Sequence, residues 1–178
     1  MLPRQKRGVG KLFVRALSAA SQRGILQFGP FRMPCALGRS GVRALKREGD
    51  GATPRGRFPL RRVLYKGRKR PRTALHLRAI RSSDGWCDSA SDRNYNRPVG
   101  LPYPARAERL WRADGLYDVI AVLGYNDLPR VRNRGSAIFL HIVRPGFSPT
   151  EGCVAVREAD LRRLIAAVPR KSVIIIEV

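Results

Sequence analysis

The sequence predicts a mostly-β domain. Its 17 glycines and 13 prolines are scattered through the 178 residues as turn signals, which favours many short strands over long helices. Residues 117–125 and 136–143 are apolar runs rich in β-branched side chains, as expected of central strands that are buried on both faces. Residues 158–168 have the periodicity of one amphipathic helix. The apolar face of this predicted helix comprises Leu161, Leu164, Ile165 and Val168.

The amino-terminal part is predicted to be a tail followed by an antiparallel meander. Residues 1–11 are basic and glycine-containing, which indicates a flexible basic tail. Strand-like segments separated by turns then follow, and a polar, glycine-rich loop is expected over 38–57. These predicted strands cover 12–17, 24–28, 31–37 and, after the loop, 58–65.

The middle of the chain is predicted to be less regular. Residues 66–73 form the densest basic run, which is either a solvated hairpin tip or a contact for a polyanion. Residues 82–105 carry Asp, Asn, Gly and Pro at turn density and predict a long loop. A short helix is expected at 104–112, with Ala107, Leu110 and Trp111 on one face. Short strands are expected at 154–156 and 172–178.

Charge and composition restrict the partners. The net charge of +23 predicts attraction to polyanions such as an anionic cell-wall polymer, with nucleic acid less favoured, although dispersed arginines also fit a compositional bias. No apolar run is long enough for a signal peptide or a transmembrane helix. With three cysteines, no C-x-x-C pair and two histidines, we expect neither a metal nor a cofactor.

One pair of residues indicates catalysis. His141 lies near the end of an apolar strand, and Cys153 follows twelve residues later, after a loop with two prolines and two glycines. A strand, a loop and a return can bring the two together, and an imidazole can then take the proton of a nucleophilic thiol. Gly152 leaves the backbone open to a substrate. Burial as ordinary core residues is the alternative for both side chains.

Two motifs resemble those of the YkuD-type L,D-transpeptidase catalytic domain. The family places a His and a loop before Ser/Thr-x-Gly-Cys, which matches residues 141–155, and it has an upstream Thr-Pro-x-Gly-x-Phe turn, which matches residues 53–58. The similarity covers 12–178, and the motif sequences are most similar to those of the small single-domain members. The second half of the first motif is filled by Thr150, Glu151, Gly152, Cys153 and Val154.

The resemblance implies a fold, a reaction and roles for residues. The fold would be a twisted β-sandwich or barrel-like sheet with one or two short helices. Cys153 would attack the carbonyl after an L-residue in a peptidoglycan stem tetrapeptide, expel D-alanine, and pass the acyl group to an amine or to water. His141 would be the base, oriented by the carbonyl of Ile142. The N–H groups of Gly152 and Cys153 would bind the oxyanion, with that of Glu151 as a further candidate.

Some residues depart from the commoner motif. Glu151 stands where many members have His, and an ionised carboxylate beside an oxyanion is unfavourable. We therefore expect its side chain to turn away and to pair with Arg144 or Arg157, either of which is also a candidate for binding a substrate carboxylate. Tyr125 and Asn126 either reach the mouth of the site or form a turn.

Two classes of alternative function remain open from the sequence. On the same scaffold the enzyme would be an L,D-carboxypeptidase or a thiol amidase. In a different class, the chain would be a non-catalytic basic module with Cys153 buried. We expect a monomer. The chemistry favours the periplasm or cell wall, while the absence of a recognised signal peptide keeps the cytoplasm open.

Overall fold

The computed structural model describes residues 9–178, and it confirms the predicted mostly-β fold class. The helix expected at 158–168 is present as α1, Glu158–Ala167. A single 3-10 turn lies at Pro145–Phe147. The strands are β1 (Gly10–Ala16), β2 (Arg23–Phe28), β3 (Phe31–Ala36), β4 (Val42–Arg43), β5 (Thr53–Pro54), β6 (Gly56–Tyr65), β7 (His76–Ala79), β8 (Asp84–Cys87), β9 (Arg97–Gly100), β10 (Ala107–Arg109), β11 (Val119–Leu123), β12 (Phe139–Ile142), β13 (Val154–Val156) and β14 (Ser172–Glu177).

Nine strands form one large sheet that closes on itself. Its order is β11-β12-β13-β3-β2-β1-β14-β6-β7, and β11 also pairs with β6. The ten-residue strand β6 makes this closure possible, because its first half pairs with β14 and its second half pairs with β11. Strands β1, β2 and β3 form the predicted antiparallel meander. The result is the barrel-like sheet that the family resemblance implied.

The central strands β11, β12 and β13 separate two hydrophobic cores. Alternate side chains of a strand face opposite sides of its sheet. Thus Leu140 and Val154 belong to the larger core beneath α1, whereas Phe139 and Cys153 belong to a smaller core with Trp86. All five residues of β11 are buried, as predicted for a central strand.

The helix predicted at 104–112 is wrong. Residues Ala107–Arg109 form β10 instead, which pairs with β8, while β8 also pairs with β9. Long-range pairing overrides the local helical spacing here, since Glu108 lies opposite Trp86. The predicted loop at 82–105 therefore contains two strands, and the resulting three-stranded sheet covers the smaller core.

Two further expectations for the loops and the tail need correction. Strands β6 and β7 are parallel, so the basic run 66–73 that joins them is not a hairpin tip. Of the predicted tail, residues 1–8 lie outside the described residues, whereas Gly10 and Lys11 belong to β1. No helix in the described part of the chain is long and apolar enough to cross a membrane.

Candidate active site

Cys153 lies immediately before β13 and faces the smaller core. The residue is 8% exposed. Its thiol donates to the carbonyl of Ala137 at 3.3 Å and accepts the N–H of Phe139, also at 3.3 Å. Cys153 also lines a cavity of about 430 Å³, so the thiol is held in place at the wall of a space that can receive a ligand.

His141 is fixed in one tautomer by its own strand. Its Nδ1 lies 2.8 Å from the carbonyl oxygen of Ile142, and only a protonated ring nitrogen can bond to a carbonyl. The proton therefore sits on Nδ1, and Nε2 keeps its lone pair. The buried imidazole lines a second cavity of about 180 Å³.

The parallel pairing of β12 with β13 places the two residues on one face. His141 lies opposite Ala155, which is two positions after Cys153. Phe139, which is two positions before His141, donates its N–H to the Cys153 thiol. Among the hydrogen bonds of the described residues none joins the thiol to the imidazole directly. The two residues thus lie on the same face of neighbouring chain segments, and in the described residues no hydrogen bond joins their side chains.

Tyr117 and Glu108 line both cavities, and the sequence analysis missed them. The Tyr117 ring packs edge-on against the imidazole of His141 at 5.4 Å between centroids, and its hydroxyl donates to Glu108 Oε1 at 2.6 Å. Their spacing in the sequence matches no motif, so nothing in the sequence marked them. Together with Glu151, they are the residues common to the cavity that Cys153 lines and the cavity that His141 lines.

Burial keeps both reactive groups uncharged near neutral pH. It raises the pKa of the Cys153 thiol to about 12, and the Glu108 carboxylate acts in the same direction. Burial also lowers the pKa of His141 to about 4, against the opposing effect of the Ile142 hydrogen bond. The resting pair is therefore a thiol and a neutral imidazole and not a standing ion pair.

The loop before Cys153 is closed by Thr150. Its hydroxyl donates to the carbonyl of Cys153 at 2.7 Å and accepts the N–H of Gly152 at 3.1 Å. Its backbone bonds to the chain that follows β3, through the carbonyl of Leu37 and the N–H of Arg39. Thr150 therefore sets the conformation of the turn that presents the thiol.

The two sequence motifs pack against each other. Gly152 has φ of +130°, and a Cβ added to it would lie 2.7 Å from the carbonyl oxygen of Ala52, just before the turn at residues 53–58. The buried Thr53 hydroxyl accepts the N–H of Gly38 at 2.8 Å. The upstream motif is thus a support for the cysteine loop.

Glu151 pairs with Arg39 and not with Arg144 or Arg157. Arg39 Nε lies 2.8 Å from Glu151 Oε2, and the Glu151 side chain is 78% exposed. Arg144 instead lines the smaller cavity, and the Arg157 guanidinium lies 5.5 Å from the ring centre of Phe147. The partner comes from the loop after β3, whose proximity the sequence order does not reveal.

Tyr125 and Asn126 form a turn and do not line either cavity before the reactive pair. The Asn126 side chain donates to the carbonyls of Val131 and Gly135, both at 2.9 Å. Asn96 donates to the carbonyls of Tyr125 and Asn126 and accepts the N–H of Ala137 at 3.1 Å. Tyr125 and Asn126 therefore support the site indirectly, through Asn96, which also binds the Ala137 segment that holds the thiol.

The model of the L,D-transpeptidase catalytic domain, YkuD, matches residues 27–176. The chain belongs to this family. No curated protein matches the sequence. Among solved structures, the domain resembles L,D-transpeptidase 1 of Mycobacterium tuberculosis, with 11% identity, a TM-score of 0.41 and coverage of 95% of this chain. The chain spans only 63% of that protein.

The described residues hold no group of three His, Cys, Asp or Glu side chains arranged to bind a metal ion.

The contact of Gly152 with Ala52 predicts the effect of a single methyl group. Gly152→Ala should lower the free energy of unfolding by about 1–3 kcal/mol, because the residue would combine a strained φ with a backbone clash. Gly100→Ala is the matched control, since a Cβ there meets no atom within 4 Å. Equal denaturant midpoints for the two variants would show that the loop does not depend on this contact.

The pKa values predict how the thiol reacts as the pH changes. Only the thiolate is nucleophilic, so alkylation of Cys153 by iodoacetamide should rise roughly tenfold per pH unit through the neutral range. The rate should reach no plateau below the raised pKa of about 12. Peptide mass spectrometry separates Cys153 from the other cysteines. A plateau near neutral pH would reveal a standing thiolate–imidazolium pair instead.

Proposed function

We propose that this domain is a cysteine-dependent L,D-transpeptidase that acts on peptidoglycan stem tetrapeptides through a thioester on Cys153. The observation that carries the proposal is the shared face of β12 and β13. There, Cys153 has its thiol at a cavity wall, and His141, on the same face two positions along, has a neutral imidazole whose Nε2 is unprotonated. Membership of the YkuD family supports the same chemistry.

In the first half-reaction, His141 Nε2 takes the thiol proton as Sγ attacks the peptide carbonyl. The attack forms a tetrahedral oxyanion. Collapse of this intermediate breaks the bond to the terminal D-alanine nitrogen, and the imidazolium returns the proton to that nitrogen. D-Alanine leaves, and the remaining peptide is held as a thioester.

The oxyanion needs N–H donors from the cysteine turn. Cys153 supplies one candidate from the nucleophile's own backbone. The resting N–H of Gly152 donates to the Thr150 hydroxyl at 3.1 Å, so it would exchange that bond for one to the substrate. Glu151 lines both cavities, and its pairing with Arg39 at 2.8 Å offsets the repulsion between its carboxylate and the developing charge.

In the second half-reaction, an amine or water attacks the thioester and releases Cys153. Transfer to an amine gives transpeptidation, whereas water gives the carboxypeptidase outcome. The proposed substrate lies outside the cytoplasmic membrane, so we infer that the domain acts in the periplasm or cell wall. The high positive charge would favour encounter with anionic wall polymers, within the reach of about 8–10 Å that salt allows.

Removing the thiol tests the proposal. Cys153→Ala should abolish release of D-alanine from a disaccharide-tetrapeptide, as followed by chromatography of the products. Cys35→Ala is the matched control, because Cys35 is also a buried free cysteine but lies in the larger core. Turnover by the Cys153→Ala protein at the control's rate would exclude Cys153 as nucleophile. No turnover by the unmodified protein would favour the non-catalytic alternative.

A further inference from the structure

The loop between β11 and β12, residues 124–138, carries the most exposed large apolar side chain of the part of the chain that the structure describes. Leu128 is 78% exposed, and Val131, three positions later, is 48% exposed. A single exposed leucine is common at protein surfaces, so its surroundings decide whether it has a role.

The loop is anchored on both sides of Leu128. Asn126 Oδ1 accepts the N–H of Val131 at 2.8 Å, and the Asn126 amide donates to the carbonyl of Val131 at 2.9 Å. Asp127 pairs with Arg61 of β6 through two hydrogen bonds, of 2.7 and 3.2 Å. These contacts hold Leu128 at the tip of a fixed turn.

Leu128 also lines a cavity of about 320 Å³ whose walls are rich in arginine. The arginines of this cavity are Arg61, Arg62, Arg97 and Arg130. Arg61 neutralises Asp127, the one acidic side chain among the described residues that line the cavity. The other three arginines take part in no ion pair within residues 9–178. Three guanidinium groups beside Leu128 are therefore free to bind an anion.

A β-bulge concentrates arginine at this cavity. Val122 of β11 pairs with Arg62 of β6. The next residue, Leu123, pairs with Leu60, so Arg61 is an additional residue in β6. Consecutive side chains of a regular strand face opposite sides of the sheet, whereas a bulge changes the direction of one of them. Arg61 and Arg62 thus line the same cavity, where Arg61 anchors the loop and Arg62 stays unpaired.

We propose that this face docks the domain on an anionic phospholipid bilayer. Leu128 enters the interfacial region of the bilayer, and Arg62, Arg97 and Arg130 bind the phosphates of the lipids. An apolar tip beside unpaired guanidinium groups is complementary to a bilayer surface, in which apolar chains lie beneath a layer of phosphates. This inference concerns where the domain is held and goes beyond the proposed reaction.

Nucleic acid is the other phosphate-rich partner, and the aromatic residues of the cavity disfavour it. Trp86 is 8% exposed and packs edge-on against Phe139, while Tyr125 packs edge-on against Phe58. Both rings are engaged within the domain, although stacking on aromatic rings is what binds single-stranded bases. An exposed leucine adds nothing to phosphate binding, whereas a bilayer gives it an apolar environment.

The docking face leaves the reactive cysteine open to its substrate. The cavity beside Leu128 and the cavity in front of Cys153 share none of their described lining residues. Asn96 lines the first cavity and accepts the N–H of Ala137, whose carbonyl accepts the Cys153 thiol. The domain can therefore lie on a membrane through one face while the other cavity receives a peptide.

The test measures binding of the full-length protein to phospholipid vesicles by co-sedimentation. The vesicles consist of phosphatidylcholine alone or of phosphatidylcholine with phosphatidylglycerol. We expect binding to the anionic vesicles and at least tenfold weaker binding to the neutral ones. Cys153→Ala should bind as the native protein does, so failure of the proposed chemistry would not affect this measurement.

Leu128→Ser should weaken binding to the anionic vesicles about tenfold, because the interface no longer receives a large apolar side chain. Val9→Ser is the control, since Val9 is 51% exposed. Val9 precedes β1, which runs in the same direction as β11, whereas the loop that carries Leu128 follows β11. The two residues therefore lie at opposite ends of the barrel, and the control should bind as the native protein does.

The triple variant Arg62→Gln/Arg97→Gln/Arg130→Gln should weaken the binding about a hundredfold, since each basic residue at an anionic surface contributes about fivefold. The control Arg72→Gln/Arg163→Gln/Arg170→Gln also removes three exposed arginines that have no ion pair within residues 9–178. These three follow β6, lie on α1 and precede β14, at the end of the barrel away from Leu128. Because salt screens charges beyond about 8–10 Å, the control should change binding by less than about twofold.

Three results would overturn the inference. Equal losses in the two triple variants would show that net charge, and not this face, attracts the membrane. Equal binding of the native protein to neutral and anionic vesicles would remove the role of the arginines. Native binding by Leu128→Ser, together with tight binding of a single-stranded oligonucleotide by the native protein, would assign the cavity to nucleic acid instead.

Discussion

The parallel pairing of β12 with β13 is the constraint on which the site depends. In this register Cys153 and His141 share the face that looks toward the smaller core, while Leu140 and Val154 on the same strands fill the larger one. A slip of one residue would turn the thiol or the imidazole into the opposite core. Burial of the neighbouring side chains in the two cores therefore fixes which face of the strands Cys153 and His141 occupy.

The parallel strands β12 and β13 are joined by a short loop, and this loop needs support along its length. The upstream motif at residues 53–58 supplies that support. The loop runs through a 3-10 turn to Thr150, which bonds to the chain after β3 and to the carbonyl of Cys153. Gly152 then lies against the carbonyl of Ala52. The two motifs lie far apart in the sequence but form one packed unit, in which the upstream turn shapes the loop that carries Cys153.

Local patterns were sufficient to predict much of the fold and to single out Cys153 and His141 as candidates. The apolar β-branched runs, the period of α1 and the motif around Cys153 each depend on neighbouring residues. Features that depend on distant partners were not predictable. The helix expected at 104–112 became a strand because β8 pairs with it, and Arg39 replaced the nearer arginines as partner of Glu151. Tyr117 packs against His141 because β11 pairs with β12 and Leu116 bonds to Ile142, contacts between residues far apart in the sequence.

In the proposed mechanism the substrate triggers the chemistry, because burial keeps the resting thiol and imidazole uncharged. Each buried group avoids the cost of an isolated charge, and the proton moves only as the thiol adds to the carbonyl. The central claim is that Cys153 forms a covalent acyl intermediate. The most direct measurement is the intact mass of the protein after incubation with a carbapenem. We expect one adduct, located on the Cys153 peptide and lacking in Cys153→Ala; an unmodified mass, or an adduct on another residue, would contradict the assignment of Cys153 as nucleophile.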